Sequence, residues 1–265
     1  MSTQSAPHPP LDVRRLADLP GYAVEVVGQA PSTNALVAQR AAGGAPEGLV
    51  VVAEHQTAGR GRLDRSWETP ARAALTFSVL LRPDVPPAAW PWLPLLAGLA
   101  VDTALRGAGV PADLKWPNDV LVAGRKVAGI LVERIEAEGG PAAVVGIGVN
   151  VSMTAEELPV PTATSLTVEG FAVDRTDLLR GILAALREHG EAWRDVDGQE
   201  WLRETYAARC VTAHGQRVSV LLPSGDTLVG EGLGIADTGA LRVHVEGEVV
   251  EVNAGDVVHV RPADQ

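Results

Sequence analysis

The chain has 265 residues, of which 46% are hydrophobic and 21% charged, with a formal net charge of -11; it is long enough for one large domain and a smaller appendage. The acidic balance argues against wholesale binding of nucleic acid, and the single cysteine, Cys210, excludes an internal disulfide framework. No apolar run is expected to span a bilayer, and the start, "MSTQSAPHPPLDVRRLADLPG", lacks the charged-then-apolar order of a signal peptide, so the expectation is a cytoplasmic protein with no membrane partner.

Residues 22–28, "YAVEVVG", alternate as a strand, and "PSTNALVAQRAAGG" then reads as a capped helix that ends in glycines. "GLVVVAEHQ" is a fully apolar strand that leads into "AGRGRLDRSWETP" at 58–70, and "ALTFSVLL" at 74–81 is a third strand. Residues 88–109 predict a long apolar helix with a proline-rich entry. "DLKW", a Pro-Asn-Asp turn, a hairpin in "VLVAGRKVAGILVERIEAEG" and a further strand, "AAVVGIGVN", follow. Residues 174–208 carry helical periodicity in two pieces, divided near Gly198. Beyond Val211, short β-runs split by "PSGD", "DTGA", "GE" and "NAGD" predict a small SH3-sized β-barrel.

Two stretches stand out chemically. In "GRGRLDR", Arg60, Arg62 and Arg65 stand on a backbone bared by Gly59 and Gly61, in a chain that is otherwise acidic. It has no third glycine and no Gly-Lys-Ser/Thr ending, so it is neither a dinucleotide fingerprint nor a Walker loop. What remains is a loop able to close over a carboxylate or phosphate, or else a solvated basic loop. The second is "KWPNDVLVAGRKVAGI". All but two of the 22 basic residues are arginine, and those two, Lys115 and Lys126, both fall here. A lysine kept against such a bias points to a site that needs a compact ammonium rather than a planar fork. Pro117 forces a turn that aims Asn118 and Asp119, and on the hairpin reading both lysines face one cleft. The bland alternative is an ordinary hairpin with exposed lysines. "PSTN" at 31–34 and "GIGVN" at 146–150 are weak alone, as a helix cap and as close-packing glycines.

The order of the set is more specific. Ser-Thr-Asn, "QTAGRGRLDRSW", "KWPNDVLVAGRKVAGILVE", "GIGVN" and a small C-terminal β-domain together resemble the biotin–protein ligases, over roughly residues 22–262. The resemblance implies an α/β (α+β) catalytic domain similar to class II aminoacyl-tRNA synthetases, a mixed sheet flanked by helices, plus a C-terminal SH3-like β-barrel. The expected division is an N-terminal extension over 1–21, partly flexible, a catalytic domain over 22–210 and the barrel over 211–265. Some relatives carry an N-terminal DNA-binding module. Too few residues precede Ser32 for one here, so the expectation is the ligase-only form with no specific DNA partner. The family loop often has a glycine where this chain has Asp64.

The implied reaction has two steps. Biotin and ATP give biotinyl-5′-AMP, and the acyl group then passes to a lysine of a biotin carboxyl carrier protein. By family position, Lys126, Arg60 and Arg62 are the catalytic candidates. Ser32, Thr33, Asn34, Gln56, Gly59, Arg60, Arg62, Lys126 and Gly129 are assigned to biotin. Arg62, Arg65, Trp67, Lys115, Asn118, Lys126 and Asn150 are assigned to ATP, with Mg²⁺ near Asn118 and the phosphates. Trp67 and Trp116 are candidates for covering the adenylate. The alternatives are a lipoate–protein ligase-like acyl-adenylating enzyme and a non-catalytic biotin-binding sensor or adaptor.

Overall fold

Residues 8–63, 65–253 and 256–259 are described by the computed structural model. In chain order, a 3-10 turn at Val13–Leu16 precedes β1 (Ala23–Val27), α1 (Thr33–Ala42) and β2 (Leu49–Ala53). Then come β3 (Gly59–Arg60), β4 (Ser66–Trp67), β5 (Ala74–Leu81), α2 (Leu93–Gly107), β6 (Ala112–Lys115) and β7 (Asp119–Val122). β8 (Arg125–Ala137), β9 (Gly140–Asn150), α3 (Arg175–Ala192) and α4 (Val196–Arg209) complete the mixed part. Five strands follow: β10 (Arg217–Leu221), β11 (Thr227–Ile235), β12 (Leu241–Val245), β13 (Glu248–Val252) and β14 (Asp256–His259). The chain forms two compact units, Met1–Arg82 with Arg125–Gly181, and Pro83–Gly124 with Ile182–Gln265.

In the first unit the strands run in the order β1-β2-β5-β9-β8. β1 and β2 are parallel and the remaining neighbours antiparallel, which makes the sheet mixed. Directly opposed residues of an antiparallel pair share a face. The register Val51↔Ser78, Ser78↔Gly146 and Gly146↔Leu131 therefore puts one row on the face that α1 covers. Thr76, Gly148 and Gly129 form the next row on that face. α1 starts where Ser32, in extended conformation, accepts a hydrogen bond from the Ala35 N–H, and it stops at Gly43. Val37 and Ala41 on its inner side pack against Val51, Leu80, Ala142 and Val144. This apolar contact holds the helix so that its first turn lies over the glycine rows.

The second unit contains the β6–β7 hairpin, α2, α4 and an antiparallel sheet in the order β13-β12-β11-β10-β14. Trp116 is 2% exposed there; its indole N–H donates to the Gly239 carbonyl and its backbone N–H to Thr212 Oγ1. A ring so enclosed has no face to offer, which corrects its assignment to the adenylate. Pro87–Gly107 is a helical stretch of 21 residues, long and apolar enough to cross a membrane by length and composition. Most of it is buried inside the protein, and α2 packs on β6, β7 and α4, so the apolarity is that of a core helix. The break between α3 and α4 falls at residues 193–195, close before Gly198, where the sequence places it. Asp195 caps α4 by accepting from the Gly198 N–H, and a side chain at 198 would strike the Ala192 carbonyl. That glycine opens a helix because a neighbour passes close; it does not break one.

Candidate active site

The site is read on the first unit, where the N-terminus of α1 meets the glycine rows of β9 and β8. Gln56, just beyond β2, is 8% exposed and bridges to Ala30, which brings it beside the helix start. Its Oε1 accepts from the Thr33 backbone N–H at 2.9 Å and from Thr33 Oγ1 at 3.1 Å. Ser78 Oγ, fully buried, lies 2.7 Å from Thr33 Oγ1 and 2.6 Å from Asn34 Oδ1. Asn34 Nδ2 donates to Glu133 Oε2 at 2.6 Å. A buried polar chain therefore runs from Gln56 through Thr33, Ser78 and Asn34 to Glu133. Each member constrains the rotamer of the next.

The glycines make room for it. A Cβ at Gly146 would collide with the Asn34 amide, and one at Gly148 would lie 2.5 Å from the Trp67 ring. At Gly129 it would meet Lys126 Cε and Nζ at 3.1 Å and Trp67 at 3.3 Å. The Lys126 ammonium stands 5.9 Å from the centroid of the Trp67 ring, within cation–π reach. Trp67 Nε1 is buried and has no hydrogen-bond partner among the described residues. The indole, with an unspent donor, and the ammonium therefore lie directly against the strands in the space the glycines leave, two neighbouring groups able to meet a ligand with an acceptor.

The Gly/Arg stretch forms a short ribbon. β3 pairs with β4 through Gly59↔Trp67 and Arg60↔Ser66, and the Gly61 N–H donates to the Arg65 carbonyl at 2.6 Å. Gly59 is required, since a Cβ there would strike Gln56 and the Trp67 carbonyl. Arg60 Nη2 donates to Glu133 Oε1 at 2.9 Å, with the arginine side chain 54% and the glutamate 32% exposed. Arg62 is half-buried and Arg65 exposed, and both make contacts of their own. Asp64 lies outside the described residues.

The backbone of Lys126 is gripped from another side. Its N–H donates to the Thr162 carbonyl at 2.9 Å, and its carbonyl accepts from the Thr164 N–H at 2.8 Å. Asn150 is 5% exposed and its Nδ2 donates to the Thr164 carbonyl at 2.9 Å, which gives it a structural task in this segment. Lys115 and Asn118 are half-buried in the second unit, at the end of β6 and in the turn after it. Among the residues assigned from sequence, the structure thus gathers Ser32, Thr33, Asn34, Gln56, Gly59, Arg60, Trp67, Lys126 and Gly129 on the first unit. Sequence reasoning missed Ser78 and Glu133. Ser78 is the lone serine in an apolar strand, and Glu133 follows Gly129 by four residues on the same strand face; both signals were available.

A family model described as the Biotin/lipoate A/B protein ligase family matches residues 26–151, and one described as the Biotin protein ligase C terminal domain matches 213–260. The chain is 45% identical to a biotin–[acetyl-CoA-carboxylase] ligase of Mycobacterium tuberculosis, over 98% of this chain and 100% of that one. It resembles the structure of a biotin protein ligase from Aquifex aeolicus in complex with biotin and ATP, with a TM-score of 0.77 and 27% identity, covering 90% of this chain and 99% of that one. A biotin protein ligase from Leishmania major in complex with biotinyl-5-AMP has a TM-score of 0.59 at 25% identity, with 87% of this chain and 98% of that one covered. With its helix-capped glycine rows, its Gly/Arg ribbon and full-length identity of this order, the chain belongs to the biotin protein ligase family.

Proposed function

We propose that the chain is an ATP-dependent ligase that activates biotin as biotinyl-5′-AMP and passes it to a lysine of a carboxylase's biotin carrier. In the first step a carboxylate oxygen of biotin attacks the α-phosphorus and the bond to pyrophosphate breaks. In the second, the lysine amine attacks the acyl carbon, loses a proton and expels AMP. Both reactants of the first step are anions, so their approach needs positive charge already in place. Lys126 and Arg60 supply it, and Arg62 and Arg65 extend it toward the phosphates. The Gln56–Thr33–Ser78–Asn34 chain offers donors and acceptors for a ureido ring, with Ser32 at the same helix start. Gly129 and Gly148 let Lys126 and Trp67 lie close against the strands, and the bicycle and its chain would pack beside them. Lys115, Asn118 and Asn150 are assigned to the nucleotide on resemblance.

Magnesium suits the chemistry, but the described residues contain no group of three His, Cys, Asp or Glu able to cage it. The ion would be held mainly by the substrate's own phosphates, with Asn118 beside them, and would supply charge neutralisation there. The division proposed is a catalytic domain over 22–210 and a β-domain over 211–265.

The observation that carries the reading is Lys126 laid across Gly129 beneath Trp67, in a chain so similar over its whole length to a biotin ligase. The test is ATP–pyrophosphate exchange that depends on biotin, followed by transfer of labelled biotin to a carrier domain. Lipoate-dependent exchange without biotin-dependent exchange would favour the lipoate ligases, which share the first family model. The match of the C-terminal domain to biotin ligases supports biotin. Absence of both exchanges would leave the sensor reading.

A further inference from the structure

Lys126 is the second residue of β8, beyond the last pair of that strand with β9. The recorded pairs of β8 with β9 end at Ala128↔Val149, and Lys126 forms a bridge to Ala163 instead. On that edge its N–H and carbonyl are thus bonded to an irregular segment, through Thr162 and Thr164. That segment is itself buried: Thr164 and Ser165 are 0% exposed, and an irregular buried backbone persists only if its polar groups find partners. The partners converge on one carboxylate. Glu169 Oε1 accepts from Thr164 Oγ1 at 2.6 Å and from Arg125 Nη2 at 2.6 Å. The Thr164 N–H donates to the Lys126 carbonyl and Arg125 precedes Lys126, so a single oxygen ties together two residues joined to the lysine's main chain. The carboxylate is 11% exposed, which keeps water from competing for those bonds.

We propose that Glu169 is a positioning residue for the adenylation step. It touches no reacting atom. It fixes the segment that grips the Lys126 main chain at the start of β8, and so where the ammonium comes to rest. A shift of even about 1 Å in a group that must meet a developing charge can cost on the order of a hundredfold in rate. The proposal rests on the reading above that Lys126 acts in the first step.

Biotin-dependent ATP–pyrophosphate exchange tests it, run on the wild-type chain, Glu169→Ala, Glu169→Gln, Lys126→Met and the double variant Lys126→Met/Glu169→Ala. Glu169→Ala should lower kcat by about fivefold or more while KM for biotin stays within about twofold, because the Gln56–Thr33 contacts are untouched. Glu169→Gln keeps an oxygen for Thr164 and should restore most of the rate. In the Lys126→Met background, Glu169→Ala should have no further effect, since a residue acting through the lysine loses its lever when the ammonium is gone. If Glu169→Ala does not fold, Thr164→Val removes the same hydrogen bond with little change of volume and should give the same split. Unchanged kcat in Glu169→Ala, or an equal further loss in the Lys126→Met background, overturns the proposal. A wild-type chain without biotin-dependent exchange overturns the ligase reading, and this proposal with it. Exchange that survives Lys126→Met removes the role given to the lysine while leaving the ligase reading standing.

Discussion

Two Arg–Glu pairs in the first unit have nearly the same geometry and opposite surroundings. Arg175 Nη2 meets Glu54 Oε2 at 2.7 Å with both side chains under 10% exposed, whereas Arg60 meets Glu133 at 2.9 Å with the arginine 54% exposed. Around the buried pair other bonds are also filled. Arg175 donates to the carbonyls of Ala74 and Pro9, and Glu54 Oε1 accepts from the Leu11 N–H. It ties the N-terminal segment, the end of β2, the start of β5 and the start of α3 into one knot. The exposed pair has water as a competitor and a strand pair of two residues beneath it. Similar chemistry serves architecture in one place and leaves a guanidinium exchangeable in the other, because burial decides how strongly a charge is committed.

Breaking the buried pair should have the largest effect. Arg175→Met leaves the Glu54 carboxylate without its cation in a dry site, and the expected loss is about 3–5 kcal/mol in denaturant unfolding. Removing both charges in Glu54→Gln/Arg175→Met should recover a good part of it. A single-variant loss under about 1 kcal/mol would mean that the two pairs are alike and that burial has been overvalued.

Next comes Lys126→Met, which deletes the ammonium and keeps the length of the chain. Adenylate formation should fall at least tenfold, about 1.4 kcal/mol of barrier, with the unfolding midpoint nearly unchanged. The contrast with Arg175→Met is the point of the measurement: one variant loses stability, the other rate.

How legible this was in the sequence varies with the range of the interaction. β5 spans Ala74–Leu81, as its apolar run predicts, and α1 begins at the Ser32 cap, because alternation and capping are local properties. Lys126 could be singled out because composition made it rare. The knot at Glu54 could not: its partners at Leu11 and Arg175 are far away in sequence, and nothing near Glu54 marks it as buried. Gly198 located the break only approximately, because a glycine is both a helix breaker and the residue that fits a close approach, and only the position of Ala192 decides between them. Asn150 has the residue type of a ligand contact, but its amide nitrogen is bonded to the Thr164 carbonyl, a partner that pattern alone does not reveal.

A smaller effect, confined to acid pH, belongs to the second unit. His189 is 2% exposed against Trp201, and its Nδ1 has no hydrogen-bond partner among the described residues. Burial lowers its pKa below the usual 6.5; Arg209 pushes the same way, while Glu188, Asp102 and a bond to the Leu96 backbone push back. The folded state therefore holds this proton less well than the unfolded chain. Its contribution to stability is complete above about 6.5 and is lost as pH falls through the lowered value. His189→Phe should flatten the decline in stability between neutral and mildly acid pH. An unaltered slope would mean that the ring reaches solvent.

The smallest expected effect on stability comes from Glu133→Gln, at the exposed pair. Neutralising the carboxylate should change unfolding by less than about 1 kcal/mol, since the pair is solvated and β3–β4 is short. Its effect on the ribbon should be plainer. With Arg60 no longer held, the segment from Arg60 to Arg65 opens more often, and trypsin should cut it faster in the empty protein. Biotin with ATP should remove that difference, because a phosphate then offers the guanidinium a stronger partner than Glu133 did and orders the ribbon in both proteins. Asn34 stays in place through its contact with Ser78, so the amide of glutamine can still meet it and the biotin side of the site should be preserved. Cleavage that is equally fast in wild type and variant would show that Glu133 does not restrain the ribbon. Cleavage that ligand fails to slow would show that the arginines do not close over an anion. In either case the exposed pair would lose its claim to be the exchangeable counterpart of the buried one.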